Sequence, residues 1–417
     1  MTELYCGMDF GTSNSTVAIA DRDCVWLMPL EGAEVTLPSA VFWSADGALL
    51  EFGRAAVAAY VGGEEGRLMR ALKSTLGSAL IDERTAIGTR SVSFKAVLEA
   101  FFKHLHARQL DAVGPIDKIV LGRPVHFVDD DPAADARAQA VLEEIARRVG
   151  YREIGFQFEP IAAALHYEQS VVAEELVLIV DIGGGTSDFS VVRVSARRAL
   201  AADRAPDILA NAGIRVGGTD FDRLLSLAEV LPHLGYLAAT KGGTGIMPRH
   251  YYLDLATWHR INFLYTQRVA SDLKALRALA DRPELIDRMI RAVGGRHGHS
   301  LAMAVEAAKI SLSSDAVARL NISELAGGPN PLVRRDRFET AVAAPLQRIA
   351  ATIGHVLAQA GVAADRIGTV FMTGGSSGLP ILQALVAGLV PQARIATGDM
   401  LGSVGTGLAL EARRRFS

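Results

Sequence analysis

Two segments of the chain join an aspartate to a turn rich in glycine and hydroxyl residues, a combination suited to phosphate chemistry. Asp9 comes just before the turn at 11–15 (GTSNS), and Asp181 comes just before the turn at 183–188 (GGGTSD). Phosphate oxygens need several convergent N–H donors, and glycine lets a backbone turn expose them because it has no side chain in the way. One such turn could equally be a tight hairpin, but two copies in equivalent places favour phosphate binding.

The two aspartates add a requirement of their own. If the fold brings Asp9 and Asp181 to one place, their carboxylates repel each other unless a cation lies between them. Mg²⁺ suits that position because it is a hard cation that binds carboxylate and phosphate oxygens and keeps part of its water shell. Aspartates also cap turns, and that alternative stays open for each residue taken alone. The pair favours a magnesium ion.

The segments around both turns follow one plan, which indicates an internal repeat. Residues 4–20 and 176–194 each contain an apolar strand, an Asp-apolar-Gly step, the turn and a second strand rich in β-forming residues. The separation of these two copies along the sequence is too long for a solenoid repeat. We therefore expect two homologous lobes, 1–172 with the first phosphate turn and 173–417 with the second.

Hydrophobic periodicity predicts the elements that position these turns. The predicted strands are 4–10, 14–20, 24–28, 37–43, 118–122, 153–158, 176–194, 206–215, 368–375 and 391–395. The predicted helices are 64–76, 94–110, 133–149, one from Pro160, one from 218, 334–360 and 402–413. This order favours an α/β protein with a mixed sheet covered by helices in each lobe, and a ligand site in the cleft between the lobes.

One stretch, 232–299, breaks this alternation and is predicted to be a helical insertion in the second lobe. It contains YYLDLATWHRINFLY (251–265), in which helical periodicity places the larger side chains on one face. That face consists of Tyr251, Leu255, Trp258, Ile261, Asn262 and Tyr265. Such a face is more often core packing than a surface for a partner, and both readings stay open here.

Composition excludes several classes of protein. Of 417 residues, 50% are hydrophobic and 21% charged, which is typical of a globular chain and not of a disordered one. The net charge of -3 provides no basic field for a nucleic acid. Two cysteines cannot form a disulfide framework. The sequence shows no secretory signal and no run of about 18 apolar residues, so we expect a cytoplasmic protein without a membrane-spanning segment.

Six segments resemble, in order, the signature segments of the ATPase domain of the seventy-kilodalton heat-shock chaperones of the DnaK type. They are GMDFGTSNSTVA, IVDIGGGTSDFSVV, FEPIAAAL, RVGGTDFDRLL, VEAAKISLSS and VFMTGGSSGLP. The resemblance covers almost the whole chain and implies the two-lobed actin-like, sugar-kinase-like fold with nucleotide in the interlobe cleft. It implies no peptide-binding domain in this sequence. With GRPVHF (122–127), the chain looks most like the YegD-type truncated homologues.

The resemblance implies roles for individual residues. Asp9 and Asp181 are implied to hold magnesium, and Lys73, in LMRALKSTLG (68–77), is implied to be the catalytic lysine on a helix. Glu159 and Asp188 are implied to order magnesium-bound or attacking water, and Thr186 belongs with the catalytic group. The implied nucleotide-binding residues are Gly11, Thr12, Ser13, Asn14, Gly183, Gly184, Gly185, Asp188, Gly217, Gly218, Glu306, Lys309, Ser313, Gly374, Gly375 and Ser376.

The chain departs from the family pattern at two places. Pro124 matches the family's relay proline, but the arginine expected with it is out of register, since Ala138 holds the expected place and Arg137 lies one position earlier. Ile310 and Gly378 replace the two arginines that sandwich the adenine in the family. From the first departure we expect weaker coupling between the catalytic site and a distant surface. From the second we expect weaker or altered nucleotide binding.

The resulting expectation is a slow Mg-dependent ATPase that binds ATP and ADP and presents a nucleotide-dependent surface to a protein client or co-chaperone. Two alternatives stay open at this point. One is a nucleotide-binding interaction module without significant turnover, and the other is a small-molecule kinase of the same superfamily. Neither a nucleic acid nor a membrane is an expected partner.

Overall fold

The structure is a computed structural model that describes residues 3–88, 90–201, 204–243, 245–397 and 401–417. The chain forms two compact units. The first consists of Met1–Gly217, Arg348–Gly378 and Leu382–Ser417, and the second consists of Gly218–Gln347 and Leu379–Ile381. The first unit contains both predicted phosphate turns, so it is described in more detail. The lobe boundary predicted at 172/173 stays a prediction.

The strands of the described residues are numbered in chain order. They are β1 (Tyr5–Phe10), β2 (Asn14–Ala20), β3 (Val25–Leu27), β4 (Thr36–Pro38), β5 (Ala40–Ser44), β6 (Leu50–Phe52), β7 (Gly66–Arg70), β8 (Arg84–Ile87), β9 (Arg90–Ser93), β10 (Lys118–Arg123), β11 (Glu153–Phe158), β12 (Glu175–Ile182), β13 (Ser187–Val194), β14 (Ile208–Ile214), β15 (Val317–Arg319), β16 (Leu332–Arg334), β17 (Thr369–Thr373) and β18 (Arg394–Thr397).

The α-helices are numbered in the same way. They are α1 (Gly53–Val61), α2 (Phe94–Val113), α3 (Pro132–Val149), α4 (Glu159–Glu168), α5 (Gly218–Leu225), α6 (His250–Leu255), α7 (Gln267–Leu279), α8 (Pro283–Gly294), α9 (Gly298–Ser314), α10 (Ser323–Ala326), α11 (Arg335–Ala341), α12 (Ala343–Ala360), α13 (Pro380–Leu389) and α14 (Ser403–Phe416). Short 3-10 turns lie between them.

Two sheets of the first unit share one topology, and they confirm the predicted repeat. The first sheet has the order β11-β10-β1-β2-β3, with β4 also paired to β2, and the second has the order β14-β13-β12-β17-β18. In each sheet, three antiparallel strands continue into two parallel strands. The registers match as well, because Asp9 pairs with Thr16 and Asp181 pairs with Asp188. The predicted mixed α/β class is confirmed.

Helices α4 and α14 pack against each other and against the strands that carry the two aspartates. Helix α14 lies on β1, β2 and β10, while α4 contacts β12 and β13. The approach is close enough that a Cβ atom on Gly7 would lie 2.1 Å from the Ala409 nitrogen, and one on Gly407 would lie 1.7 Å from the Ala162 oxygen. The last helix of the chain therefore completes the core beside the first strand.

One predicted helix, 64–76, is wrong. Residues Gly66–Arg70 form β7, which pairs with β5 and buries Leu68 and Met69, and Leu72–Thr75 form a single 3-10 turn. Pairing with β5 outweighs the local pattern that resembles a helix, because it buries Leu68 in a cluster with Phe42 and Ala56 and buries Met69 in the larger core. The helix α1 and the hairpin β8–β9 were not predicted.

The second unit contains the segment 232–299, and its predicted helical content is confirmed. The predicted single helix at 251–265 is wrong, because α6 ends at Leu255 and a separate 3-10 turn covers Ile261–Leu264. Tyr251, Leu255, Trp258 and Ile261 are nevertheless buried. The core-packing interpretation of these aromatic and apolar side chains therefore holds for those four residues.

Membrane-spanning helices were tested over the described ranges. There, no single helix combines the length and the apolar composition needed to cross a bilayer. The helices α11 and α12 meet these two criteria only when they are taken together, and they are bent by 63° relative to each other.

Candidate functional site

The two predicted phosphate turns lie against each other in the first unit. The first turn joins β1 to β2, and the second joins β12 to β13. A Cβ atom on Gly184 would lie 2.3 Å from Ser13 Oγ, and one on Gly185 would lie 2.8 Å from Thr12 Oγ1. A side chain at either position of the second turn would require the Ser13 or Thr12 side chain of the first turn to move, so glycine favours this close contact.

Backbone and hydroxyl contacts fix both turns. In the second turn, the Gly183 N–H donates to the Thr186 oxygen at 2.9 Å. In the first, buried Ser39 donates its hydroxyl to the Gly11 oxygen at 2.6 Å and its N–H to the Ser13 oxygen at 2.9 Å. Sequence reasoning missed Ser39. It follows β4, which pairs with Asn14 at the start of β2, so only the sheet register brings it to the turn.

Four acidic side chains converge beside these turns. Asp9 lies next to the end of β1, Asp181 lies near the end of β12, Asp188 lies near the start of β13, and Glu159 is the first residue of α4. Asp181, Asp188 and Glu159 are each less than 7% exposed. The structure thus brings together all four carboxylates that were predicted to hold magnesium or to order water.

Lys73 is the single lysine in this acidic cluster. It is 6% exposed, and its Nζ forms an ion pair with Glu159 Oε1. The turn that carries it begins after Ala71, whose φ of 55° reverses the chain at the end of β7. Burial alone would lower the pKa of Lys73, but the charges of Glu159 and Asp9 together outweigh burial and raise it. The ammonium group therefore stays protonated.

The carboxylates have pKa values above the ordinary range for aspartate. Burial, together with the charge of Glu159, raises the pKa of Asp9 to about 7. The same two causes raise the pKa of Asp188 to about 7, against hydrogen bonds from Val125 and Thr186 that lower it. Burial and neighbouring carboxylates raise the pKa of Asp181 well above its usual value. The cluster holds more negative charge than one lysine balances.

This excess of carboxylates fits a magnesium ion. Asp9 Oδ1 is buried and has no hydrogen-bond partner among the described residues, which leaves it available as a ligand. No group of three or more histidine, cysteine or acidic side chains has metal-binding geometry in the described ranges. A metal here would need oxygen ligands from outside the protein, and Mg²⁺ ordinarily takes them from water and substrate phosphates.

A third glycine segment lies against the second turn. After β17, Gly374 has a φ of 83°, and a Cβ atom there would lie 2.5 Å from Asp181 Oδ1. The Ser376 N–H donates to the Ile182 oxygen at 3.0 Å, and its hydroxyl donates to the Gly183 oxygen at 3.3 Å. Gly375 lies between them and is exposed. Backbone groups of 374–376 therefore surround the same turn.

The strand end after β10 contacts the acidic cluster through its backbone. The Val125 N–H donates to Asp188 Oδ1 at 2.7 Å. The preceding Pro124 accepts a hydrogen bond from Arg123 Nε at 3.0 Å, and Arg123 also pairs with Asp135 on α3. Arg123 is thus the arginine that contacts Pro124, whereas Arg137 is exposed. Sequence reasoning did not identify Arg123.

The predicted adenosine residues of the second unit lie on α9 and α5. Glu306, Lys309 and Ser313 occupy one face of α9 by their spacing, and Ile310 beside them is 62% exposed. Buried Lys309 pairs with Asp222 Oδ1 at 2.8 Å and donates to the Gly218 oxygen at 3.2 Å. Within this unit, Lys309 therefore holds the N-terminal turn of α5. Asp222 was not predicted as its partner.

Comparisons with known proteins agree with these segments. The family model described as Hsp70 protein matches residues 295–413. The chain is 24% identical over 430 residues to Chaperone protein HscA of Citrobacter koseri, and 25% identical to that of Klebsiella pneumoniae; each alignment covers 98% of this chain and 58% of the relative. The chain thus spans less than two thirds of the length of these relatives. Together the matches support the Hsp70 family, and the mixed α/β structure is consistent with its actin-like ATPase fold.

Proposed function

We propose that this chain, as a protein of the Hsp70 type, binds Mg-ATP and Mg-ADP in the first unit and hydrolyses ATP slowly. One observation carries the proposal. Two glycine turns touch beside a cluster of four carboxylates and one lysine, and one oxygen of that cluster, Asp9 Oδ1, is buried without a hydrogen-bond partner in the part of the chain that the structure describes. The turns suit phosphate oxygens, and the negative cluster suits a divalent cation.

The magnesium ion would be held by Asp9 and Asp181, together with water and phosphate oxygens. When bound, it would neutralise negative charge on the phosphates. The backbone N–H groups of 11–13 and 184–186 bind the phosphate chain in this proposal, since the Gly183 N–H is already bonded to the Thr186 oxygen. The hydroxyl groups of Thr12, Ser13 and Thr186 add donors, because hydroxyls can rotate toward an anionic oxygen.

Hydrolysis requires a water molecule to attack the γ-phosphorus. The water oxygen bonds to that phosphorus while the bond to the oxygen bridging the β- and γ-phosphates breaks, which releases ADP and phosphate. Asp188, fixed by the Val125 N–H and with a pKa of about 7, can accept the water proton near neutral pH. Lys73, held by Glu159, compensates the charge that develops on the phosphate oxygens.

A single-turnover experiment with ATP, with and without Mg²⁺, tests this function. We expect Mg-dependent binding of both nucleotides and slow formation of ADP, at or below about 1 per second. Calorimetry that detects no Mg-dependent binding at millimolar ATP would reject the proposal. Binding without any ADP over many hours would favour the interaction module without turnover. That second candidate draws support from Ile310 and Gly378, where the two adenine-stacking arginines of the family are absent.

The relatives are named as chaperone proteins, and we propose a nucleotide-dependent protein client or co-chaperone in the cytoplasm for this chain too. Limited proteolysis in ATP and in ADP is the first measurement, since a nucleotide-dependent surface requires two conformations. Identical cleavage patterns in both nucleotides would speak against such a partner surface. The YegD-type assignment stays a prediction.

A further inference from the structure

Arg215 lies between β14 and the second phosphate turn, and none of the sequence motifs assigns it a role. A hydrogen bond from the Val216 N–H to the Ile214 oxygen, at 2.9 Å, closes a three-residue turn with Arg215 at its centre. Next to it, Ser187 of the second phosphate turn donates its hydroxyl to the Val216 oxygen at 2.7 Å. The backbone of Arg215 is thus joined to the candidate site on its C-terminal side.

A carboxylate holds the same backbone from the other side. The Arg215 N–H donates to both carboxylate oxygens of Asp129, each at 3.1 Å. Asp129 also pairs with Arg348 at 3.5 Å. A hydrogen bond to a charged acceptor is stronger than one between neutral groups. Asp129 therefore fixes the backbone position from which the Arg215 side chain extends.

The side chain of Arg215 reaches the segment that carries the catalytic lysine. Its Nη2 donates to the Ser74 oxygen at 3.2 Å, and Ser74 directly follows Lys73. Ser74 in turn lies beside the second phosphate turn, since a Cβ atom on Gly185 would be 3.4 Å from Ser74 Oγ. The guanidinium group therefore contacts the residue that follows Lys73 in sequence, and that same residue lies beside the second phosphate turn.

Among the described residues, no carboxylate forms an ion pair with the Arg215 guanidinium, although the side chain is half-buried. A half-buried arginine with one backbone acceptor still has several N–H donors to offer. Planar guanidinium groups match phosphate oxygens in geometry and charge.

We propose that Arg215 binds the terminal phosphate of the nucleotide and thereby favours ATP over ADP. The inference rests on the proposed function, because it names the part of the ligand that one further residue recognises. Lys73 and Arg215 then approach the same phosphate from adjacent positions, Lys73 from inside the acidic cluster and Arg215 from the side of Ser74. Arg215 is thus a specificity residue for the triphosphate.

Calorimetry with Mg-ATP and with Mg-ADP tests this role in the full chain. In Arg215→Ala, we expect about a tenfold loss of ATP affinity and less than about a twofold loss of ADP affinity, since one charge-assisted hydrogen bond to the terminal phosphate is removed. Arg215→Lys should recover part of the ATP affinity. Arg193→Ala provides the matched control, because Arg193 is a half-buried arginine of β13 that pairs with Glu174; its ATP-to-ADP ratio should not change.

The outcomes separate this inference from the function on which it rests. Equal losses for ATP and ADP in Arg215→Ala would mean that the residue only supports the Ser74 segment, and an unchanged ratio would mean that it does not contact the terminal phosphate. Either result overturns the inference while wild-type binding leaves the proposed function standing. If the wild-type protein binds neither nucleotide, both are overturned.

Discussion

The first and second sheets of the first unit have the same strand order and matching registers around the two aspartates, but the residue opposite the aspartate differs. Asp9 pairs across its hairpin with Thr16, whereas Asp181 pairs with Asp188. Thr16 faces α14, because a Cβ atom on Gly405 would lie 2.4 Å from Thr16 Oγ1. Asp188 instead joins the acidic cluster and accepts from Val125. The equivalent position thus serves packing in one sheet and the candidate site in the other.

The two turns differ in a complementary way. The first turn carries the side chains of Thr12 and Ser13, and the second has Gly184 and Gly185 where those side chains come close. If both turns carried side chains, they could not approach to this distance. A repeated backbone can therefore form a single site only when its two copies diverge in sequence, and this pair has diverged at the points of contact.

The catalytic lysine of this proposal, Lys73, comes from the first half of the chain alone. Its replacement should have the largest effect on hydrolysis. In Lys73→Ala we expect the single-turnover rate to fall by about 100-fold or more, because charge on the phosphate oxygens loses its cationic partner in the transition state. Nucleotide affinity should change much less. Lys95→Ala is a suitable control, since Lys95 is a partly exposed residue of α2 that pairs with Glu144 of α3. Equal loss of affinity and rate would reassign Lys73 to ground-state binding or to structure.

The paired aspartates can be compared directly through their magnesium dependence. Asp9→Asn and Asp181→Asn should each raise the Mg²⁺ concentration needed for half-maximal ATP binding, by about tenfold, because each removes a charged ligand. A magnesium titration at fixed ATP measures this change. A titration that shifts in only one variant would show that the two aspartates do not contribute equally to magnesium binding. No shift in either variant would mean that neither aspartate holds the ion.

The acidic cluster also predicts how the stability of the nucleotide-free protein depends on pH. With its pKa raised from 3.8 to about 7, Asp9 binds a proton in the folded state that it loses in the unfolded state between these pH values. Its contribution to stability is therefore present below about pH 4 and is lost as pH rises toward about pH 7, by up to about 4 kcal/mol.

Chemical denaturation at several pH values measures this contribution. Relative to the wild type, Asp9→Asn should become more stable as pH rises through that range. An exposed aspartate of α2, Asp111, provides the control, and Asp111→Asn should show no such trend. A parallel pH dependence of the wild type and Asp9→Asn would contradict the raised pKa.

The smallest expected effect concerns the base of the nucleotide. Ile310 is 62% exposed, so Ile310→Arg should not disturb the core of the second unit. Combined with Gly378→Arg, it restores the two arginines that the family resemblance implies for the adenine, so we expect ATP binding to tighten by about 1 to 2 kcal/mol and a poor discrimination between ATP and GTP to improve. Ala307→Arg, at another exposed position of α9, is the control. A strong native preference for ATP that the double substitution leaves unchanged would contradict this expectation.

Sequence patterns predicted the strands around both phosphate turns because those strands are long apolar runs followed by glycine. They did not predict β7, since its alternation is short and its pairing partner β5 lies more than twenty residues earlier. The same limit applies to the site. Asp9 and Asp181 could be found from their turns, whereas Ser39, Arg123 and Asp222 reach their partners only through contacts between separate elements: two strands, a strand and a helix, and two helices.

Helix α14 has a consequence for the synthesis of this chain. The helix fills the space beside β1 and α4, where Gly7 and Gly407 allow backbones to approach closely. A ribosome that adds about 5 to 20 residues per second needs roughly 10 to 50 seconds to pass from the end of α4 to α14. During that time the nascent chain has both β1 and α4 but lacks the helix that packs on them. One side of β1 and of α4 therefore stays open to other chains until α14 has been synthesised.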